Sequence, residues 1–182
     1  MILIENSSNK VIISASNIIL HTTHAEVERT KYYGGITDTT HTLISDKSVP
    51  YGQANWWTYE TGQFTLTETG LSERKLEKKA EIKSAFESHE NDPVEALSVQ
   101  WNGGYESAMK LDAAKRMSEL TALTVVTFFD LDNQAHSLSI DDATIVILTV
   151  GNAYQMLFQK KQSLYQQIDN ANDATTLDAI TW

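Results

Sequence analysis

His21-x-x-His24, followed by Glu26 and Glu28, carries the residue types of a metal site. On a strand, positions three apart face opposite sides, so the two histidines share an ion only if the chain turns between them. The simpler reading, exposed histidines on a Thr-rich loop, is the one adopted. His41 with Asp38 or Asp46 could form an oriented base beside Ser45 or Ser48, yet nothing around either serine resembles a nucleophile elbow. Asp130, Asp132, Asn133, Asp141 and Asp142 offer oxygen ligands of the kind calcium takes. The EF-hand order, with its central Gly and terminal Glu, is missing, and a solvated hairpin tip accounts for them. Gly34-Gly35 and Gly103-Gly104 read as turn glycines, because no phosphate-loop pattern follows either pair. The chain has no cysteine, which excludes disulfides, thiolate zinc sites and cysteine nucleophiles. The expectation is a protein that is not an enzyme and holds no metal and no cofactor.

Two groups of residues point to binding instead. Trp56, Trp57, Tyr59 and Phe64 could stack on the sugars of a surface polymer, or they could build a small β core; the general burial of large aromatics favours the core. Ala143, Ile147, Val150, Tyr154, Leu157, Lys161, Leu164 and Ile168 recur at steps of four and three, which places them on one stripe of a helix over Asp141 to Ile168, about 40 Å long. The first half of that stripe is expected to pack within the chain. Its second half, Tyr154, Leu157, Lys161, Leu164 and Ile168, is read either as more intrachain core or as an oligomer stripe meeting copies of itself around an axis.

The elements that position these groups follow from local pattern. Ile2 to Ile4, Val11 to Ile13 and Ile18 to Leu20 are short β-branched runs that suggest a meander. From His21 to Pro50 the chain shows little periodicity, and no regular structure is assigned. Trp56 to Glu60 and Gln63 to Thr67, joined across Thr61-Gly62, predict a hairpin. Ser72 to Glu90 interleaves charges at helical spacing, with a thin apolar face of Leu76, Ala80, Ile82 and Phe86, and reads as a connecting helix. Ala96 to Trp101 and Tyr105 predict a strand and its return across Asn102-Gly103-Gly104. Met109 to Leu123 predicts an amphipathic helix with Leu111, Ala114, Met117, Leu120 and Leu123 on its buried side. A second hairpin, Thr124 to Phe129 with Ala135 to Ile140, leads into the long helix, and Thr175 to Ile180 forms a last helical turn. The fold class is α+β: a β-rich module over 1–69, a charged connecting helix over 70–93, and a C-terminal domain with two hairpins and a long helix over 94–182.

The totals restrict the partners. A formal charge of −10 and a pI near 4.8 argue against nucleic acid or an anionic membrane surface. No run approaches the ~18 apolar residues of a membrane span, and Met-Ile-Leu-Ile-Glu lacks the basic flank and length of a signal peptide. A soluble chain without an export signal is expected.

The order of features from Leu76 to Trp182 resembles a phage-tail domain of unknown function found at the C-terminal end of tail-fibre and other tail-associated proteins. The residues that carry the resemblance are Glu81-Ile82-Lys83, Val99-x-Trp101-Asn102-Gly103, Asp112 to Met117, Val126 to Asn133, Leu138 to Asp142, Ile168 to Ala171, and Thr175 to Trp182. Trp57-Thr58-Tyr59 with Gly62 and Phe64 is similar to a hairpin of phage tail proteins, with Trp56 where that pattern has glycine. The resemblance implies a structural component of a bacteriophage tail, in a tail fibre or a fibre/baseplate adaptor, acting in assembly and host attachment. It implies a virion location after synthesis in the host cytoplasm, contacts with other tail or baseplate proteins, a homotrimer, and a host surface polysaccharide or receptor as the target. A tail-fibre assembly chaperone, absent from the finished particle, is the alternative.

Overall fold

The computed structural model describes residues 1–15, 18–20, 24–28, 30–33, 36 and 40–182, with the side chains of 20, 24, 26 and 30–33 outside the description. The chain is α+β. It divides into two compact units, one formed by Met1–Lys78 with Asn170–Ala179, the other by Lys79–Asp169 with Ile180–Trp182.

In the first unit, β1 (Ile2–Glu5) lies between β2 (Val11–Ser14) and β6 (His41–Ile44) in an antiparallel sheet. Ile2 and Ile4 enter one apolar cluster and Leu3 another, so β1 is buried on both faces. This is why Met-Ile-Leu-Ile shows no apolar/polar alternation. A second antiparallel sheet joins β3 (Ile18–Leu20), β4 (His24–Val27) and β5 (Thr30–Tyr33). The meander read over residues 2–20 therefore stops at β2, because β3 pairs forward with β4. The stretch given no regular structure contains three strands; their Thr, His, Lys and Glu content hides the period that a purely apolar pattern would show. The aromatic hairpin is β7 (Trp57–Glu60) with β8 (Gln63–Leu66), and Thr61 and Gly62 turn it with φ of 49° and 89°. Positive φ at both central residues matches the twist of the strands they join.

Helix α1 (Glu68–His89) begins four residues before the expected Ser72 and contains the division between the units, at Lys78/Lys79. The sequence placed its boundaries at Thr69 and Pro93 instead. The segment Asn170–Ala179 is tied to the first unit by an ion pair. Arg74 Nε and Nη2 both donate to Asp178 Oδ1, at 3.2 and 3.0 Å, while the guanidinium also lies over the Tyr51 ring. Asp173 caps the short α4 (Ala174–Asp178) by accepting from the Thr176 amide at 2.8 Å.

In the second unit, β9 (Val94–Ala96) and β10 (Val99–Trp101) form a hairpin that turns at Leu97-Ser98, with φ of 53° and 62°. The expected turn at Asn102-Gly103-Gly104 is corrected: those residues lead straight into α2 (Tyr105–Leu120). The glycines serve close approach. A Cβ on Gly103 would stand 1.9 Å from the Asp92 carbonyl oxygen, and Gly104 has φ +91° with Asn91 Oδ1 against it. Next come β11 (Val125–Phe129), β12 (Ala135–Ser139) and the 31-residue α3 (Ile140–Asn170), about 46 Å long at roughly 1.5 Å per residue. Ser139 and Asp142 open α3 reciprocally. The Ser139 hydroxyl accepts from the Asp142 amide at 3.1 Å and donates to its carboxylate at 2.7 Å. Trp101, Val126, Phe128, Ala143, Val146 and Val150 form the core, with Leu111 and Ala114 of α2 packed against it.

The buried side of α2 is shorter than its periodicity implies. Met117, Leu120 and Leu123 are 61%, 81% and 55% exposed. Within α1, Ile82 and Phe86 are buried while Leu76 is exposed.

Candidate interaction surfaces

His21 and the side chains of His24 and Glu26 lie outside the described residues, as do Asp38 and Gly34-Gly35; Glu28 is exposed. Among the described residues no three His, Asp or Glu side chains gather as metal ligands. His41 is buried on β6 with Nδ1 2.7 Å from Thr40 Oγ1, whereas Ser45, Asp46 and Ser48 are exposed. A His41–serine relay is therefore not assembled among the described residues.

The hairpin tip between β11 and β12 is not the solvated cluster that the sequence suggested. Asp130 is only 9% exposed. Its Oδ1 accepts from the amides of Asp132 and Gln134 at 2.9 and 2.8 Å, and its Oδ2 accepts from His136 Nε2 at 2.8 Å. One carboxylate thus organises the five-residue turn, and the His136 ring rests edge-on against Trp101. Asp132 and Asn133 stay exposed, and Asp141 and Asp142 open α3 rather than join the tip. The His136 hydrogen bond, followed by the Gln134 amide, holds the Asp130 carboxyl below its ordinary value. A group with a depressed folded pKa contributes stability above its unfolded pKa of about 3.9 and loses that contribution as pH falls through the folded value. The amides of Asp132 and Gln134 are expected to keep their chemical shifts down to about pH 4 and to move together below it. An NMR pH titration checks this, and a midpoint at or above the ordinary carboxylate value would contradict it. Asp130→Asn should abolish the transition.

The aromatic group of the first unit is core. Trp56 and Trp57 are 6% and 2% exposed, and Trp57 Nε1 donates to the Tyr51 carbonyl at 2.9 Å. Phe64 stands edge-on to Trp57, with Tyr59 at 4.8 Å from its centroid. The alternative reading of this group as a sugar-stacking surface is corrected for Trp56 and Trp57, which are buried. Trp57 on β7 and Trp56 just before it pack onto Ile2, Ile4 and Val11, leaving Tyr59 and Phe64 half-buried beside them.

The second half of the α3 stripe is largely engaged within one copy of the chain. Leu164 and Ile168 are buried. Lys161, the polar interruption, extends its ammonium over the Phe86 ring, 3.8 Å from the centroid, so its charge meets an aromatic face on α1. Tyr154 stands 6.0 Å from Phe86 and 5.7 Å from Tyr105, and Leu157 is half-buried. Further along, Tyr165 donates its hydroxyl to the Lys79 carbonyl and Lys79 pairs with Asp169 at 2.7 Å, so α3 runs antiparallel to the end of α1. The C-terminal Trp182 completes this cluster, stacked on His89 with the Lys160 ammonium over its ring.

Open surface lies elsewhere on the second unit. Along β11, Val125, Thr127 and Phe129 face outward, alternating with buried Val126 and Phe128. The cross-strand partners of the outward set are Ser139, Ser137 and Ala135, so this face carries no charge. It continues the exposed apolar end of α2 in the chain. Two clefts flank Tyr154. One, of about 490 Å³, is mostly apolar and includes Pro93, Val94, Met156 and Leu157. The other, of about 470 Å³, is polar and is built from the chain after α1, the first turns of α2, and Tyr154. The sequence pattern does not show this polar cleft: it predicts Tyr105 on a returning strand and Glu90 as the last residue of the connecting helix. The Gly104-Tyr105 step, a glycine before a helical run, was the available signal.

These features define an α+β domain in which Trp101 in the core, Asp130 at the tip and Trp182 in the aromatic cluster act as framework. Residues 73–181 match the family of a domain of unknown function, DUF4376, and the chain belongs to that family. No curated protein and no solved structure matches the chain. No helix among the described residues is long and apolar enough to cross a membrane.

Proposed function

We propose that the chain is a structural component of a bacteriophage tail, in a tail fibre or a fibre/baseplate adaptor, with roles in tail assembly and host attachment. The observation that carries the reading is the ordered set of residues from Glu81-Ile82-Lys83 to the terminal Thr175–Trp182 run, which resembles a domain carried by tail-associated proteins. The uncharged outer face of β11 and β12, together with Met117, Leu120 and Leu123, offers the kind of apolar surface through which such components join their neighbours. The partners in this reading are other tail or baseplate proteins and two further copies of the chain, and the target is a host surface polysaccharide or receptor. Leu164 and Ile168 are already buried in one copy, so a trimer in this reading uses the exposed apolar surface rather than that part of the α3 stripe.

Immunogold electron microscopy of purified particles, with antibody raised against the whole chain, tests the proposal. Label confined to the tail is expected. Label absent from particles, with the protein abundant in infected cells, would overturn the proposal in favour of the assembly chaperone.

A further inference from the structure

We infer that the polar cleft beside Tyr105 and Tyr154 is a binding site for a neutral saccharide. The inference supplies a ligand class for the attachment role proposed above and rests on that reading. Two tyrosine rings from different helices stand 5.7 Å apart at 47°, and Tyr105 is 57% exposed. A pyranose presents an apolar C–H face to such a ring while its hydroxyls seek polar partners, a pairing that suits a side chain with an apolar body and a polar tip.

The cleft supplies those partners. The Glu90 carboxylate, the Asn91 amide and the hydroxyls of Tyr105, Ser107 and Tyr154 all line it, and none of these side-chain groups has a hydrogen-bond partner among the described residues. Carboxylate and amide are planar groups that can engage neighbouring hydroxyls of a sugar ring, and the three hydroxyls both donate and accept. Asn91 and Tyr105 are exposed and Glu90, Ser107 and Tyr154 half-buried, so these groups face solvent, and a polyhydroxylated ligand takes the place of that water.

Charge selects against other ligands. An unpaired carboxylate at Glu90, on a chain of net charge −10, disfavours phosphate or acidic sugars. Glu106 and Lys110 line the same cleft as an exposed pair 3.4 Å apart, which leaves Glu90 as its net charge; a cationic ligand over the tyrosine rings is the competing class, and the phosphocholine on the array separates it from a neutral sugar. A neutral polyol of one or two sugar rings suits a volume of about 470 Å³.

The test is binding of the purified whole chain to an array of neutral oligosaccharides ending in glucose, galactose, mannose or N-acetylglucosamine, with phosphocholine and sialylated glycans included. The expected result is retention on at least one neutral class, reduced about ten-fold or more by Tyr105→Ala, the loss expected for one aromatic contact. Tyr105→Phe should retain most of the binding, and Phe129→Ala, outside the cleft, all of it. Tyr105 is exposed at the start of α2, so its variants should unfold at the parent's midpoint. Retention on no neutral glycan, preference for phosphocholine or sialylated glycans, or equal retention by Tyr105→Ala would overturn the inference. Failure here with the chain present in tails removes the saccharide site alone. Binding here with the chain absent from particles removes the tail reading alone.

Discussion

Trp101→Ala is expected to destabilise the second unit by about 3–5 kcal/mol, the range for deleting a large buried aromatic. Trp101 is 1% exposed and stands edge-on to Phe128, with the two ring centroids 6.3 Å apart. Its Nε1 donates to the Ala96 carbonyl at 2.9 Å, so truncation also removes the partner of a buried acceptor between β9 and β10. The loss extends to the hairpin tip, because the His136 ring that bonds Asp130 rests against the same indole. Urea unfolding followed by far-UV circular dichroism measures the change; a shift worth less than about 1 kcal/mol would show that the cavity collapses or that this cluster is not the core.

Gly103→Ala is the second large effect, and it comes from space rather than from backbone angle. The added methyl would lie 1.9 Å from the Asp92 carbonyl oxygen and 3.0 Å from its carbonyl carbon. Both obstacles are backbone, so relief requires moving the chain that links α1 to β9. The expected cost is at or above the roughly 1–3 kcal/mol of ordinary overpacking. Gly151→Ala is the control, since its methyl would meet Ala108 Cβ at 3.9 Å, an ordinary contact inside α3. That variant should be neutral or more stable by up to about 1 kcal/mol, as alanine is the better helix former. Equal stability of the two variants in the same urea titration would contradict the close packing at Gly103.

What could be read from sequence was what local pattern encodes. The α3 stripe, the charged α1 and the two hairpins β7–β8 and β11–β12 each declare themselves by period or turn residue within their own span. Tertiary demands hid the rest. Asn102-Gly103 looks like a hairpin turn, but its glycine makes room for Asp92, while the real turn uses Leu97-Ser98, a pair with no turn signature. Met117, Leu120 and Leu123 keep the helical period of a buried face and stay exposed, because period records amphipathicity and not what covers it. Lys161, read as a flaw in the α3 stripe, meets an aromatic face that only the fold brings near. The polar cleft was the least legible feature: Glu90 follows α1, Tyr105 opens α2 and Tyr154 lies on α3, and none of them carries a motif. The sequence also offered the indoles of Trp56 and Trp57 as a binding surface, and burial on β1 and β2 takes them away.

The most direct test of the proposed tail role is quantitative mass spectrometry of particles purified from cells that produce the chain, set against the lysate of the same cells. The account predicts peptides from both units of the chain in intact particles, in a copy number that is a multiple of three and co-purifying with isolated tails. Absence from particles, or presence only in the lysate, would contradict it.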